Sequence, residues 1–262
     1  RQIPTYVISA NFRKSQLFFK WYGFPYASIL KSFDCLYVQD EHSRILLESI
    51  DVFKVVVAGD TRFDRVVEIA QQSKEIPLIE AFKNNRQLIV VGSSWPNDEE
   101  LIVEYLQQNK DVKIIFAPHE IHPSNLHHLE SKVSVPTVRF STATPEACKN
   151  ARCMIIDNIG MLSSIYKYAN LAYIGGGFGV GIHNVLEAAV YHIPVVFGPN
   201  YKKFKEARDL ILLGAGFSVV DYVELYSTFD WLLLHKDAGQ IAGNYVQQKR
   251  GATDKIIQGI FN

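Results

Sequence analysis

At 262 residues the chain has room for one large domain or two smaller ones. Its hydrophobic share of 48% supports a substantial core, and 27 basic side chains cancel 27 acidic ones, so no global attraction to nucleic acid is expected. Cys35, Cys148 and Cys153 form no Cys-x-x-Cys pair; an odd, sparse set argues for a reducing compartment and against a disulfide framework. No run of about 18 apolar residues spans a bilayer, and no signal peptide is visible. With Arg1 in place of an initiator methionine, the sequence reads as a fragment or a processed chain.

Residues 3–9, β-branched and apolar, read as a strand. Residues 1–31 hold five basic side chains (Arg1, Arg13, Lys14, Lys20, Lys31) and no acid. Phe12, Phe18, Phe19, Trp21, Tyr22, Phe24 and Tyr26 are interleaved with them. A basic, aromatic, helical segment suits a membrane surface with anionic lipid; equally, its aromatics are core and its lysines solvated. Residues 35–39 form a second strand, Asp40 caps a helix, and residues 55–58 form a third strand. This is βαβαβ, about half of a doubly wound domain. A turn over 59–64 follows, then a hinge between about 65 and 85, where apolar periodicity weakens.

Alternation resumes at 88–91, ending in Gly92-Ser93-Ser94. Pro96 with Asp98, Glu99 and Glu100 marks a helix first turn. Further strands read at 113–117, 137–140, 154–157, 171–174, 195–197 and 217–220. The intervening segments are helical, including 161–169 and 204–213. Such alternation implies a parallel sheet with right-handed crossovers. The final helix carries Ile256, Ile257 and Ile260 as an apolar face.

The chemistry concentrates between Ile174 and Tyr201. Gly175, Gly176, Gly177, Gly179 and Gly181 follow a buried strand, and Asn184 with Glu187 makes a capping-box pattern. A glycine loop before a helix start suits a nucleotide phosphate, with Glu187 on a ribose diol. The plainer reading is a tight turn and a structural cap, which explains Asn184 and Glu187 well; five glycines exceed what a turn needs. No Gly-Lys-Ser/Thr follows, which excludes a P-loop. No acid ends strand 195–197, which disfavours NAD.

His119, His122, His127 and His128 with Glu120 match no zinc spacing. Ser93 and Ser94 lie in no nucleophile elbow; their candidate roles are phosphate hydrogen bonds or helix capping. Lys202, Lys203, Lys205 and Arg208 are candidate partners for an anion or a solvated face, and Glu206 among them a candidate surface partner.

Together these residues resemble the 3-deoxy-D-manno-octulosonic acid (Kdo) transferases of lipopolysaccharide synthesis. The resemblance rests, in order, on Ser9-Ala10-Asn11-Phe12, Gly59-Asp60-Thr61-Arg62-Phe63-Asp64, Asp157-Asn158-Ile159-Gly160-Met161-Leu162-Ser163, His183-Asn184-Val185-Leu186-Glu187, and Gly198-Pro199 through Phe204 with Glu206-Ala207. It implies an α/β chain of GT-B type, with Rossmann-like parallel sheets and helices on both faces. Residues 1–66 would be part of an N-terminal, acceptor-side domain. Residues 67–262 would be a complete C-terminal donor domain, its last helix packing back toward the first.

The implied reaction is transfer of Kdo from CMP-Kdo to lipid A precursor (lipid IVA), with inversion and with neither metal nor cofactor. The setting would be the cytoplasmic face of the bacterial inner membrane, peripheral or held by a segment absent from this chain. The donor contacts implied are Ser93, Ser94, Pro118, His119, Gly160, Met161, Leu162, Gly177, Asn184, Glu187 and Glu206. Arg13 and Lys14 would face acceptor and membrane. The general base falls in a region preceding residue 1, so no catalytic residue is assigned.

Three departures stand out. Pro118-His119-Glu120 replaces Pro-Arg-His and lacks its arginine. Val180 and Ile182 stand where Arg and Gly are usual, and Val185 and Ala188 replace prolines. Lys203, Lys205 or Arg13 would then answer the donor's negative charge. The alternatives are a GT-B enzyme using a UDP-sugar, or an inactive relic acting as a binding partner.

Overall fold

The computed structural model describes residues 3–261; Arg1, counted above among the basic residues, lies outside them. The chain divides into two compact units. One comprises the residues through Val67 together with Gln247 onward; the other is Glu68–Val246.

The first unit holds three parallel strands in sequential order, β1 (Tyr6–Ala10), β2 (Cys35–Val38) and β3 (Val55–Val57). Asp40 caps the helix Glu41–Glu48 as read from the sequence, its carboxylate accepting the Ser43 N–H at 2.8 Å. The basic aromatic segment is not one helix. It runs through a 3₁₀ turn at Leu17–Phe19 and then a helix at Phe24–Lys31. The break sits at Gly23, where a Cβ would overlap the Leu17 carbonyl, and Pro25 then starts the helix. Its aromatics split accordingly. Phe12, Phe18 and Phe19 pack edge to face in the core beside Leu36, Val38 and Leu47, whereas Trp21 and Phe24 are 92% and 77% exposed.

The stretch read as a turn and weakly patterned hinge is helical, over Thr61–Gln72 and Pro77–Lys83. Its polar residues line the outer faces of short helices, which hid the period. In the final helix, Ala252–Phe261, Ile256 and Ile260 pack with Tyr37 and Ala58. Ile257 faces solvent. Asp64 caps this helix, accepting from the Thr253 N–H at 2.8 Å, the Thr253 hydroxyl at 2.9 Å and the Gly251 N–H.

The second unit is a seven-stranded parallel sheet. Its strands are β4 (Gln87–Ser94), β5 (Val112–Pro118), β6 (Thr137–Arg139), β7 (Cys153–Ile155), β8 (Leu171–Ile174), β9 (Val195–Phe197) and β10 (Gly216–Ser218). Every strand expected from the sequence is present. Leu88, Ile89, Val90 and Val91 are all fully buried, the unbroken pattern of a strand covered on both faces. Lys113 sits inside β5 because its amine donates to the carbonyls of Cys148 and Lys149 at 3.2 and 3.0 Å, at the end of the helix Pro145–Asn150. A buried ammonium is tolerated only with such partners.

The strand order is β10-β9-β8-β4-β5-β7-β6. From β4 the chain steps one way, to β5; from β8 it steps the other way, to β9. The loops leaving β4 and β8 therefore diverge at the carboxyl edge and open the crevice in which such sheets bind ligands.

Candidate functional site

The crevice is built by close backbone packing. The register of β4 shifts between Gly92 and Ser94, and Ser93 takes a left-handed φ of 52°, uncommon outside glycine. This turns the Ser93 carbonyl against Gly175, where a Cβ would overlap it. Gly177 is packed as tightly: its Cβ would lie 2.5 Å from Gly198. The glycines of this loop thus let three chain segments touch.

Most of its amides are also engaged. The N–H groups of Gly175, Gly179 and Gly181 donate to the carbonyls of Gly92, Gly176 and Gly176, and that of Gly176 donates to Asp98. Of the five, Gly177 alone has no acceptor among the described residues. The loop read as a phosphate cradle thus spends two amides within itself and two on Gly92 and Asp98.

Asp98 is the anchor. It is 1% exposed and accepts the N–H of Trp95 at 3.0 Å, the N–H of Gly176 at 2.9 Å and the Tyr173 hydroxyl at 2.8 Å. Burial raises its carboxyl above the ordinary range, against the pull of these donors. In the sequence Asp98 reads only as a first-turn acid. The Ser94 hydroxyl is taken by Glu99 at 2.8 Å, and Trp95 caps the helix Pro96–Gln108.

The helix after the glycine loop is one turn, Leu186–Ala189, too short for an appreciable dipole. It ends at Val190, and the chain turns left-handed at His192, φ 57°, before Pro194. Asn184 accepts the Leu186 N–H at 3.1 Å and donates to Glu187 at 3.1 Å. Burial raises the Glu187 carboxyl.

The turn after β7 differs. Gly160 has φ 91° and open space where a Cβ would stand. Among the described residues the N–H groups of Gly160, Met161 and Leu162 have no acceptor. This turn leads into Leu162 and Tyr166, both packed against Gly92, where a Cβ would stand 3.0 Å from Leu162 and overlap the Tyr166 hydroxyl. Tyr166 feels the Glu187 carboxylate. Leu162 thus lies at the end of β4 with Tyr166, which connects this turn to Glu187 and its partner Asn184.

Pro118 ends β5, and His119 joins a cluster of rings with Trp95 and His183. Glu206 is buried in the first turn of the helix Lys205–Leu212. Lys203 donates to the Val180 carbonyl at 2.9 Å, and Lys205 pairs with Asp209 at 2.5 Å. Arg13 and Lys14 are exposed in the first unit. Among the described residues no three His, Cys, Asp or Glu side chains are placed to hold a metal ion; His122 binds Ser124, and His127 lies beside Glu130.

No protein-family model matches the chain. It is 28% identical over 239 residues to the 3-deoxy-D-manno-octulosonic acid transferase of Chlamydophila psittaci, covering 88% of this chain and 54% of that one. To the enzyme of the same name from Aquifex aeolicus it is 25% identical over 233 residues, covering 84% and 62%. The chain thus spans about half the length of the curated relatives it matches. Among solved structures it is similar to the C-terminal CMP-Kdo binding domain of WaaA from Acinetobacter baumannii, with TM-score 0.55 and 22% identity, over 71% of this chain and 97% of that domain. Its similarity to S. aureus MnaA, solved with UDP, covers 99% of this chain and 69% of that one, with TM-score 0.64 and 14% identity. The chain is therefore a relative of the Kdo transferases, built on the α/β, GT-B fold of glycosyltransferases.

Proposed function

We propose that residues 1–262 carry the donor-binding part of a Kdo transferase, which moves Kdo from CMP-Kdo to a lipid A precursor in lipopolysaccharide synthesis without metal or cofactor. The acceptor hydroxyl would form the new glycosidic bond as CMP leaves. The observation that carries this reading is the set of N–H groups at Gly160, Met161 and Leu162 that have no acceptor among the described residues, on the turn whose Leu162 packs against Gly92. Backbone donors suit the phosphate, and the Glu187 carboxylate suits the ribose. Similarity to proteins of that activity supports the choice of CMP-Kdo.

Titration of the chain with CMP and with UDP by calorimetry tests it. CMP is expected to bind in the millimolar range or better and ahead of UDP, and Glu187→Ala to weaken it by about 1–3 kcal/mol. A preference for UDP would favour a UDP-sugar enzyme, the reading nearest to the MnaA likeness. No binding of either, with the fold intact, would leave the inactive relic.

The first unit supports a place at the inner membrane's cytoplasmic surface. Trp21, Tyr22, Phe24, Tyr26 and Ile29 are exposed beside Arg13, Lys14 and Lys20, and residues 1–31 hold no acid. Apolar rings among cations fit an anionic lipid surface. No helix among the described residues is long and apolar enough to cross a membrane. Sedimentation with phosphatidylglycerol vesicles should capture the chain, and Trp21→Ala with Phe24→Ala should release it; equal capture by phosphatidylcholine would refute the electrostatic part.

A further inference from the structure

Three rings from three different segments meet at the crevice. Trp95 follows β4, His119 follows β5, and His183 follows the glycine loop. His119 stacks on Trp95, with centroids 4.7 Å apart and planes 24° apart, and lies 4.5 Å from His183 at 31°. The Trp95 indole N–H donates to His183 Nε2 at 3.3 Å. His183 therefore accepts at Nε2 and, when neutral, keeps its proton on Nδ1. Burial, reinforced by His119, lowers its affinity for a second proton. Indole and imidazole thus form a joined floor under His119.

His119 itself is exposed, and neither of its ring nitrogens has a hydrogen-bond partner among the described residues. Its backbone is pinned, the N–H donating to the Ser94 carbonyl at 2.9 Å. The carboxylates around it are turned elsewhere. Asp98 holds Trp95, Gly176 and Tyr173, Glu99 holds Ser94, and Glu120 accepts from Asn125 at 2.9 Å. Lys203 and Lys205 have their own partners, and most of the glycine-loop amides are engaged.

We propose that Trp95 and His183 are positioning residues that hold His119 as the side chain meeting the nucleotide's phosphate. This rests on the nucleotide reading above. An imidazole meets an oxyanion as an N–H donor when neutral and as a cation when protonated. A ring already stacked in place loses little freedom when it binds.

The test uses the whole chain, with CMP, cytidine and inorganic phosphate as probes. Calorimetry is combined with the emission of Trp95, made the sole tryptophan by Trp21→Phe and Trp231→Phe. His119→Ala should lower CMP affinity about tenfold and leave cytidine binding unmoved. His119→Gln, which keeps an N–H donor, should recover part of the loss. Trp95→Ala should match His119→Ala, and the double variant should be no weaker than either alone, because Trp95 acts through His119. Trp95→Phe keeps a stacking ring and guards against a variant that fails to fold; it should lose less than Trp95→Ala.

Equal losses for CMP and cytidine, additive losses for the two residues, or no loss with His119→Ala would overturn the proposal. If the unaltered chain binds no CMP, the nucleotide reading fails and phosphate decides separately. A phosphate-dependent change in Trp95 emission that His119→Ala abolishes would sustain the inference, and its absence would end it.

Discussion

Two glycine-bearing turns stand at the carboxyl edge of the same sheet and do opposite things. The loop after β8 has five glycines, four of whose amides are bonded within the protein, and backbone crowds against it from Ser93 and Gly198. The turn after β7 has the single Gly160, open space where its Cβ would stand, and three consecutive N–H groups without an acceptor among the described residues. Glycine density therefore tracks close packing of the chain on itself. Availability to a ligand tracks which amides lack acceptors, and no residue count reports that.

The comparison is sharpest at Gly175. Gly175→Ala places a methyl onto the Ser93 carbonyl, so urea unfolding should show a loss of about 3 kcal/mol. A loss below about 1 kcal/mol would mean that the two loops have room to part. Gly160→Ala meets no atom and costs only the left-handed backbone, about 1 kcal/mol. CMP affinity should fall with it, because relaxing φ turns the neighbouring N–H groups away. Retained affinity would detach this turn from the ligand.

The smallest effect expected is at Glu187. Burial raises its folded-state carboxyl above the ordinary 4.5. A raised acid contributes stability that is fully present below the unfolded value and is lost as pH rises through the folded one. Glu187→Gln keeps an oxygen for Asn184 without the buried charge. The variant should melt higher than the parent at pH 7, and the difference should close at pH 4. An unchanged melting temperature at pH 7 would place Glu187 in water.

Strands were the most legible feature. Apolar runs such as 88–91 and 171–174 have few alternatives once turn residues bound them, and each expected strand is present. Short helices were less legible. One turn at Leu186–Ala189 was read as a longer helix because Pro194 was taken as its stop, whereas the chain leaves the helix at Val190 and turns left-handed at His192. Nothing local marks a histidine that will adopt positive φ. Of the residues that shape the mouth, Trp95, Asp98 and His183 were missed as a set. They lie 3 and 85 positions apart along the chain, and only the parallel arrangement of β4 and β8 makes them neighbours.

What the sequence determined by itself was the order of the strands, the likeness to Kdo transferases, and the presence of polar residues at strand ends. Each depends on spacing along the chain, which periodicity and motif order record directly. Tertiary structure alone decided which aromatics of the first unit are core, which glycine amides are engaged, and that three rings from separate loops meet. Burial and hydrogen-bond partnership are properties of residue pairs far apart in sequence, so they exist only once the sheet has brought those residues together.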